Sequence, residues 1–198
     1  MGPKGNDTRQ RVLDRAIRRA SIEGLEGLTI GSLSSELQMS KSGLFAHFGS
    51  KEQLQIAVLE EVARRFIERV IRPAFKAPRG EARIRAVFER NLAWNEDQMF
   101  PGGCVLMAAA HELDARTGPA RDFLVDQQRK FLQLVAHSAT LAIEVQDFRE
   151  DLNPDDFAFD VFSLILGHHY YQHLLNDPDI ERRVRGSFER IIRSARRR

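Results

Sequence analysis

The sequence contains only one cysteine, Cys104, and no run of about 18 to 20 apolar residues, the length that a membrane-spanning helix needs. A single thiol excludes an intrachain disulfide and a zinc site built from several thiolates. The first residues also lack the apolar core of a secretory signal peptide. These absences predict a protein that stays in the cytoplasm and does not contact a membrane.

Two further features are nearly absent, namely a net charge and a β-strand pattern. The 30 basic and 28 acidic residues leave a formal net charge of only +2, so the overall charge gives little support for nucleic-acid binding. No segment shows the alternation typical of a strand, and no motif repeats at a fixed period. Apolar residues recur at helical spacing instead, which predicts an all-α protein of about nine helices.

Residues 40–52 predict a short helix that has one buried face and one exposed face. Leu44 and Phe48 lie four positions apart and share the buried face. Small, basic and aromatic side chains are left for the exposed face. A helix of this kind suits a groove of DNA.

A second short helix is predicted immediately before this one. Thr29 can cap it and Ser40 can cap its successor, because each hydroxyl can accept a hydrogen bond from an amide of the first turn. Gln38 and Met39 form the turn between them. Two short helices joined in this way make a helix-turn-helix, here at about residues 30–49, whose second helix normally enters the major groove.

The second helix carries a recognisable motif followed by a Lys-Glu pair: Gly43, Leu44, Phe45, Ala46, His47, Phe48, then Lys51 and Glu52. Over about residues 8–63 the chain resembles the DNA-binding domain of TetR-family transcriptional regulators, whose motif is Gly-x-Leu-Tyr-x-His-Phe followed by Lys-Glu. The resemblance implies a helix-turn-helix DNA-binding domain at 7–67. It also implies a helical ligand-binding and dimerisation domain at 68–198.

The resemblance assigns DNA contacts to both helices and to the start of the next one. It implies phosphate contacts from Thr29, Ser42, His47 and Lys51, and groove contacts from Lys41, Ser42, Phe45 and Ala46. With the cap and the motif glycine, the expected DNA-binding set is Thr29, Ser40, Lys41, Ser42, Gly43, Phe45, Ala46, His47 and Lys51.

Two residues depart from the family pattern. Phe45 stands where the family usually has Tyr, so a phosphate contact through a hydroxyl is replaced by an apolar one, for example with a thymine methyl group. Gln38 stands where the turn usually has Gly. If its backbone takes a positive φ, we expect strain of about 1 kcal/mol.

The last two long helices, expected at 157–175 and 180–197, pair in this family with their copies in a second subunit. A homodimer reads a palindromic operator whose half-sites lie about one helical turn apart. The residues expected at the dimer interface are Phe162, Leu166, Gly167, Tyr170, Phe188 and Ile191. The alternative is that both helices complete the core of a monomer.

The resemblance also implies a small-molecule effector bound among the middle helices. Aromatic, thioether and imidazole groups suit a largely apolar pocket with a few polar anchors. The expected ligand-binding residues are Trp94, Met99, Phe100, Met107, His111, Phe131 and His168. For each of them, packing in the core is the alternative.

An enzyme or a metal-binding helical protein is the competing interpretation. His169 and His173 lie four apart, which is a metal-ligand spacing, and His168 is adjacent. However, the pair lacks the Glu of the His-Glu-x-x-His motif, and no nucleophile elbow or glycine-rich phosphate loop is present. The sequence therefore predicts a non-enzymatic repressor without a catalytic residue, metal or cofactor.

Two further alternatives remain open. The arginines of residues 182–198 are consistent with an architectural protein that binds nucleic acid without reading its sequence. The departures at Phe45 and Gln38 are consistent with a ligand-binding protein that no longer binds DNA.

Overall fold

The computed structural model describes residues 3–197, with side chains from residue 7 onward, and within this part of the chain it contains nine helices and no β-strand. The helices are α1 (Pro3–Glu23), α2 (Ile30–Glu36), α3 (Lys41–Phe48), α4 (beginning with Lys51–Phe66), α5 (Glu81–Asn95), α6 (Val105–Leu113), α7 (Pro119–Glu144), α8 (Pro154–His173) and α9 (Ile180–Ala195). The prediction of an all-α fold is confirmed. None of the described helices combines the length and hydropathy needed to cross a bilayer.

The chain folds into two compact units, and neither is continuous in sequence. The N-terminal unit consists of Met1–Arg65 and Asp97–Val125, and the C-terminal unit consists of Phe66–Glu96 and Asp126–Arg198. The expected boundary at residues 67 and 68 lies next to the first of these breaks. Residues 97–125, expected in the C-terminal domain, belong to the same unit as the helix-turn-helix.

The N-terminal unit is built on amphipathic helices whose apolar faces point inward. Helix α1 buries Val12, Ala16 and Ile17 completely, while its arginines lie mostly outside. Leu33 of α2 and Leu54 of α4 are buried in the same unit. The core of this unit therefore follows directly from the 3.6-residue apolar spacing.

Helix α4 runs one residue past Pro73, to Ala74. After Phe66 it continues through a five-residue π-helical segment, Ile67–Ile71, and a last α-helical turn, Arg72–Ala74. Proline has no N–H to donate to the carbonyl four residues earlier, which normally breaks the α-helical pattern. Here the backbone widens to i→i−5 bonding, with the Arg72 N–H donating to the Ile67 carbonyl, and the helix passes the proline.

The C-terminal unit contains an antiparallel pair formed by α5 and α9. The rings of Phe88 and Phe188 stack with their centroids 3.7 Å apart. Ion pairs join Arg85 to Glu189 on one side of this stack and Glu89 to Arg185 on the other. Residue numbers increase along α5 in the direction in which they decrease along α9, so the two helices are antiparallel. The stack and the two ion pairs define which residues of α5 and α9 lie opposite each other.

A charged cluster in the N-terminal unit surrounds Glu61 of α4, which is buried. Its carboxylate accepts hydrogen bonds from Arg64 and Arg65 at 2.7 Å and from Gln10 at 2.9 Å. Burial alone would raise the pKa of this carboxyl, but these hydrogen bonds outweigh it and lower the pKa to about 2. The cluster joins α1 to α4.

Replacing Glu61 by Gln should destabilise the protein at neutral pH and not in strong acid. A pKa lowered from 4.5 to about 2 corresponds to about 3 kcal/mol of stabilisation. Because the folded-state pKa is depressed, this contribution is complete above pH 4.5 and is lost as the pH falls through about 2. We expect Glu61→Gln to lower the free energy of unfolding by about 1 to 3 kcal/mol at pH 7.

Urea denaturation at several pH values measures this effect, with the exposed Glu60→Gln as the matched control. The difference between wild type and Glu61→Gln should shrink below pH 4.5. A difference that stays constant down to pH 2.5 would contradict the assigned role.

Candidate nucleic-acid interface

The two predicted N-caps of the helix-turn-helix are present. The Thr29 hydroxyl oxygen accepts a hydrogen bond from the Ser32 N–H at 3.0 Å, and the Ser40 oxygen accepts one from the Gly43 N–H at 3.0 Å. Each cap satisfies an amide that has no partner within its own helix. The beginnings of α2 and α3 are therefore fixed by residues that the sequence already identified.

The turn between α2 and α3 uses a left-handed residue, as the sequence suggested. Gln38 has a φ of 54°. This conformation lets the Met39 N–H donate to the Ser34 carbonyl at 2.9 Å, so the chain reverses directly after α2. Gln38 thus adopts a conformation that glycine accepts without strain.

The rotation of α3 about its axis is set by two buried side chains. Leu44 is fully buried and Phe48 is nearly so, as predicted, whereas Phe45 between them is 55% exposed. The outward face of α3, together with the start of α2, lines a shallow groove. The residues of this groove are Ile30, Gly31, Lys41, Ser42, Phe45 and Ala46.

His47 and Phe48, at the end of α3, are tied to α1 by Arg9. The Arg9 guanidinium lies 4.6 Å from the centre of the Phe48 ring and donates to the His47 carbonyl at 3.3 Å. His47 itself is half-buried, and its Nδ1 has no hydrogen-bond partner in the described part of the chain. Arg9 is a contributor to this site that sequence reasoning did not identify.

Lys51, expected at a phosphate, is held by the loop between α1 and α2. Its Nζ donates to the Glu26 carbonyl oxygen at 2.7 Å and to the Glu26 carboxylate at 3.1 Å. Arg116 pairs with the same carboxylate at 2.7 Å. Hydrogen bonds from Lys51 and then Gln55 lower the pKa of Glu26, so the carboxylate is ionised at neutral pH.

Glu112 on α6 fixes the position of this loop. Its two carboxylate oxygens accept hydrogen bonds from the backbone N–H groups of Leu25 at 3.0 Å and Glu26 at 2.9 Å. Gly24 has a φ of 77°, and a Cβ at this position would lie 2.5 Å from a Glu112 oxygen. No spacing pattern links residues 87 positions apart, which explains why the sequence did not reveal this contact.

Family comparisons agree with this geometry. Residues 12–58 match the model described as "Bacterial regulatory proteins, tetR family", and residues 80–188 match "Tetracyclin repressor-like, C-terminal domain". The second match alone covers just over half of the chain. The chain belongs to the TetR family.

Among relatives of this TetR-family protein is the HTH-type transcriptional repressor AcnR of Corynebacterium efficiens. The two are 38% identical over 69 residues, which span 35% of this chain and 37% of AcnR. The chain therefore matches little more than a third of the length of this relative. This match is to a repressor.

Solved structures of TetR-family members share the fold at low sequence identity. A TetR transcriptional regulator of Chloroflexus aurantiacus is 20% identical, with a TM-score of 0.86 over 97% of this chain and 96% of that one. AibR, solved in complex with isovaleryl coenzyme A and operator DNA, is 23% identical, with a TM-score of 0.71 over 90% and 94% of the two chains. The similarity extends over almost the whole chain.

The predicted ligand-binding residues of this TetR-family chain are divided between the two units. Met99, Phe100, Met107 and His111 lie in the N-terminal unit, where Phe100 is buried and His111 is exposed. Trp94, Phe131 and His168 lie in the C-terminal unit. Their role in ligand binding stays a prediction.

Phe66 brings Trp94 and Phe131 together within the C-terminal unit. Its ring meets Trp94 edge to face at 5.5 Å and Phe131 at 5.7 Å. Phe131 in turn lies 5.9 Å from Phe162 of α8. Four rings form this aromatic cluster: Phe66, Trp94, Phe131 and Phe162. The sequence assigned Phe66 to no site and Phe162 to the dimer interface.

Of the residues predicted at the dimer interface, Phe188 requires correction. It is only 2% exposed and stacks on Phe88, so it packs inside its own protomer and has no surface left for a partner. Leu166 and Tyr170 are exposed on α8. The remaining members, Phe162, Gly167 and Ile191, are half-buried, and their contact with a second subunit stays a prediction.

The three histidines of α8, His168, His169 and His173, do not point to one place. His168 is buried, whereas the rings of His169 and His173 pack against each other at 4.8 Å on a more exposed side of the helix. Across the described residues, no group of three or more His, Cys, Asp or Glu side chains has the arrangement of a metal site. A pair of imidazoles in ring contact is an ordinary packing arrangement.

Replacing Gln38 by Gly should stabilise the protein. The left-handed conformation costs a non-glycine residue about 1 to 2 kcal/mol, and glycine loses about 0.5 to 1 kcal/mol more backbone entropy on folding. We therefore expect the free energy of unfolding to rise by about 0.5 to 1 kcal/mol in urea titrations. Gln53→Gly, on the exposed side of α4, is the matched control and should lower it by about 1 kcal/mol. Equal effects at the two positions would rule out strain at Gln38.

Proposed function

We propose that this protein is a homodimeric transcriptional repressor that binds a palindromic DNA operator through α3 and releases it when a small molecule binds. The observation that carries the proposal is the capped, outward-facing α3, in which Leu44 and Phe48 are buried while Lys41, Ser42, Phe45 and Ala46 lie at the surface. A protein acting on bacterial DNA in this way works in the cytoplasm.

The chemistry of the α3 face supports DNA reading rather than general affinity for anions. Lys41 can contact a phosphate or a guanine, and Ser42 and Ala46 are small enough to allow the helix close to base edges. Phe45 presents an exposed ring that suits a thymine methyl group. One cation among small and apolar groups favours base contacts, whereas a purely electrostatic binder would carry several cations here.

An apolar stripe along α8 supports the homodimer. Phe159, Leu166 and Tyr170 are spaced to lie on one side of the helix and are exposed, Phe159 by 67%. Leu174, at the end of the helix, continues the stripe and is 62% exposed. Contiguous exposed apolar surface marks an interaction site. A two-fold pairing through α8 would present two copies of α3, as a palindrome requires.

The link between Glu112 and Lys51 supports a route by which an effector alters DNA binding. Glu112 holds the backbone of the loop at Leu25 and Glu26, and the Glu26 carboxylate holds Lys51 at the start of α4. A displacement of α6 would therefore move the loop and the residue expected to contact a phosphate. A coupling of about 1 to 3 kcal/mol lowers operator affinity about 5- to 150-fold.

A protein with this fold can bind a small molecule and operator DNA. AibR was solved with an acyl-coenzyme A and operator DNA together. Because AibR and this chain are only 23% identical, the comparison supports a shared fold and does not identify the ligand of this chain. Repression is consistent with the match to AcnR.

The first test is selection of bound duplexes from a random DNA pool, followed by a screen for small molecules that reduce the binding.

Lys41→Ala should then weaken binding to the selected operator by about 1 to 3 kcal/mol, and Phe45→Ala should relax the preference at one base pair. Lys51→Ala should weaken binding to all sequences alike and reduce the salt dependence, if Lys51 exchanges Glu26 for a phosphate.

Lys76→Ala removes the same charge outside α2 and α3 and is the matched control. Fluorescence anisotropy at two salt concentrations measures the wild type and all four variants. A protein that shows no preference among duplexes is not an operator-binding repressor. Unchanged affinity of Lys51→Ala at both salt concentrations would remove its phosphate role.

A bulky residue at Gly167 should separate the subunits without unfolding the protomer. A Cβ built at Gly167 meets no atom of its own chain within 4 Å, so the protomer has room for a side chain. If a partner helix packs against this glycine, Gly167→Leu should raise the dimer dissociation constant at least about tenfold, the effect of about 1.4 kcal/mol. Analytical ultracentrifugation measures it, and Gln133→Leu on α7 is the control. A wild-type protein that sediments only as a monomer contradicts the proposed assembly.

A further inference from the structure

Three polar side chains lie in the interior of the C-terminal unit, where the other buried residues are mostly apolar. His168 of α8 is 1% exposed, and Asn91 and Asn95 of α5 are 1% and 2% exposed. Asn95 Nδ2 donates to the Asn91 side-chain oxygen at 3.3 Å. These residues use core positions that an apolar side chain could fill.

Several atoms of these side chains have no hydrogen-bond partner among the residues that the structure describes. They are both ring nitrogens of His168 and the side-chain oxygen of Asn95. Burying a polar group without a partner costs free energy, and nearly all buried polar atoms in proteins are satisfied. A group from outside the chain that bonds to these atoms would recover this cost.

His168 and the C-terminal part of α5 both approach the start of α9. Glu89 of α5 contacts Arg185 of α9, and Glu96, directly after the last residue of α5, contacts Glu181, so Asn91 and Asn95 belong to the part of α5 that lies beside the start of α9. His168 interacts electrostatically with the same two residues of α9. The C-terminal parts of α5 and α8 therefore both lie near the start of α9.

Aromatic side chains lie in the same unit as the polar atoms. Trp94 directly precedes Asn95 in α5 and packs against Phe66, which contacts Phe131 in turn. This part of the C-terminal unit combines aromatic rings with a few unsatisfied polar atoms. Such a combination is typical of binding sites for small, mostly apolar molecules.

The charges around His168 argue against an anion. The groups that act on its ring are Glu181, His173 and Arg185. Burial lowers the pKa of His168, so the imidazole is neutral at pH 7 and offers one donor and one acceptor. The pKa of Glu96 is raised by burial and by its hydrogen bond with Glu181, and Glu89 already pairs with Arg185. Arg185, the one arginine that acts on the His168 ring among the described residues, is thus already paired and is not free to bind a carboxylate or phosphate.

We propose that His168 and Asn95 are the polar anchors of the effector site, and that the effector is an uncharged, largely apolar molecule with a hydroxyl group. A hydroxyl accepts a hydrogen bond from the ring N–H of His168 and donates one to the Asn95 oxygen or to the second ring nitrogen. This inference rests on the proposed function, in which a small molecule causes DNA release. It names the chemical class of that molecule and two of its contacts.

The test uses three probes with the same six-carbon chain: 1-hexanol, hexanoate and hexylammonium. The ring signals of histidine in isotope-labelled protein are followed by NMR, and the His168 signal is assigned by its absence in His168→Phe. We expect 1-hexanol to shift the His168 signal saturably, and the two charged probes to bind at least tenfold more weakly. The signal of the exposed His137 on α7 should not move.

Calorimetry on variants gives a second readout. His168→Phe and Asn95→Leu should keep or raise the melting temperature, because each removes unsatisfied buried atoms, and both should weaken 1-hexanol binding at least tenfold. His137→Phe should bind 1-hexanol as the wild type does. If one variant fails to fold, the other variant and the wild-type NMR titration still decide the question.

The proposal is overturned if 1-hexanol leaves the His168 signal unchanged, if hexanoate binds equally well, or if the folded variants bind 1-hexanol like the wild type. These outcomes are independent of DNA binding. Loss of operator selection with intact 1-hexanol binding would overturn the repressor function and leave the ligand site supported. Intact selection with no 1-hexanol binding would overturn the ligand site alone.

Discussion

The burial of Leu44 and Phe48 is the constraint on which the DNA-binding surface depends. Both side chains are held in the N-terminal unit, and Arg9 of α1 packs over the Phe48 ring. A short helix anchored at two points four residues apart cannot rotate about its axis. Its opposite face, with Lys41 and Phe45, must therefore point outward. Recognition of DNA follows from packing, because the apolar face determines where the polar face lies.

A polar network complements this packing at the loop between α1 and α2. Glu112 binds two backbone amides of the loop, while Glu26 binds the side chains of Lys51, Gln55 and Arg116. The network joins three segments that lie far apart in sequence. Because each hydrogen bond is directional, a small shift of α6 alters the loop, and the start of α4 with it. The N-terminal unit thus contains both the reading helix and the contacts through which we propose that it is controlled.

Much of the site could be predicted from local patterns. The caps at Thr29 and Ser40, the inward face of α3 and the left-handed turn at Gln38 each depend on residues within a few positions of one another. Other features could not. The π-helical segment Ile67–Ile71 has no signature in the apolar spacing, and Phe188 turned inward because Phe88 lies opposite it. The position of Phe188 depends on a neighbour that no local pattern identifies.

The sequence by itself determined the helices, the position of the helix-turn-helix and the family, because periodic apolar residues, capping hydroxyls and a short motif act over one or two helical turns. Tertiary structure alone decided that Lys51 is held by Glu26, that His168 is buried with both ring nitrogens unsatisfied, and which aromatic rings of α8 and α9 stay exposed. The physical reason is the separation in sequence over which each interaction acts. Capping and amphipathic spacing operate between near neighbours in the chain, whereas burial and long-range ion pairs depend on which helices lie side by side after folding.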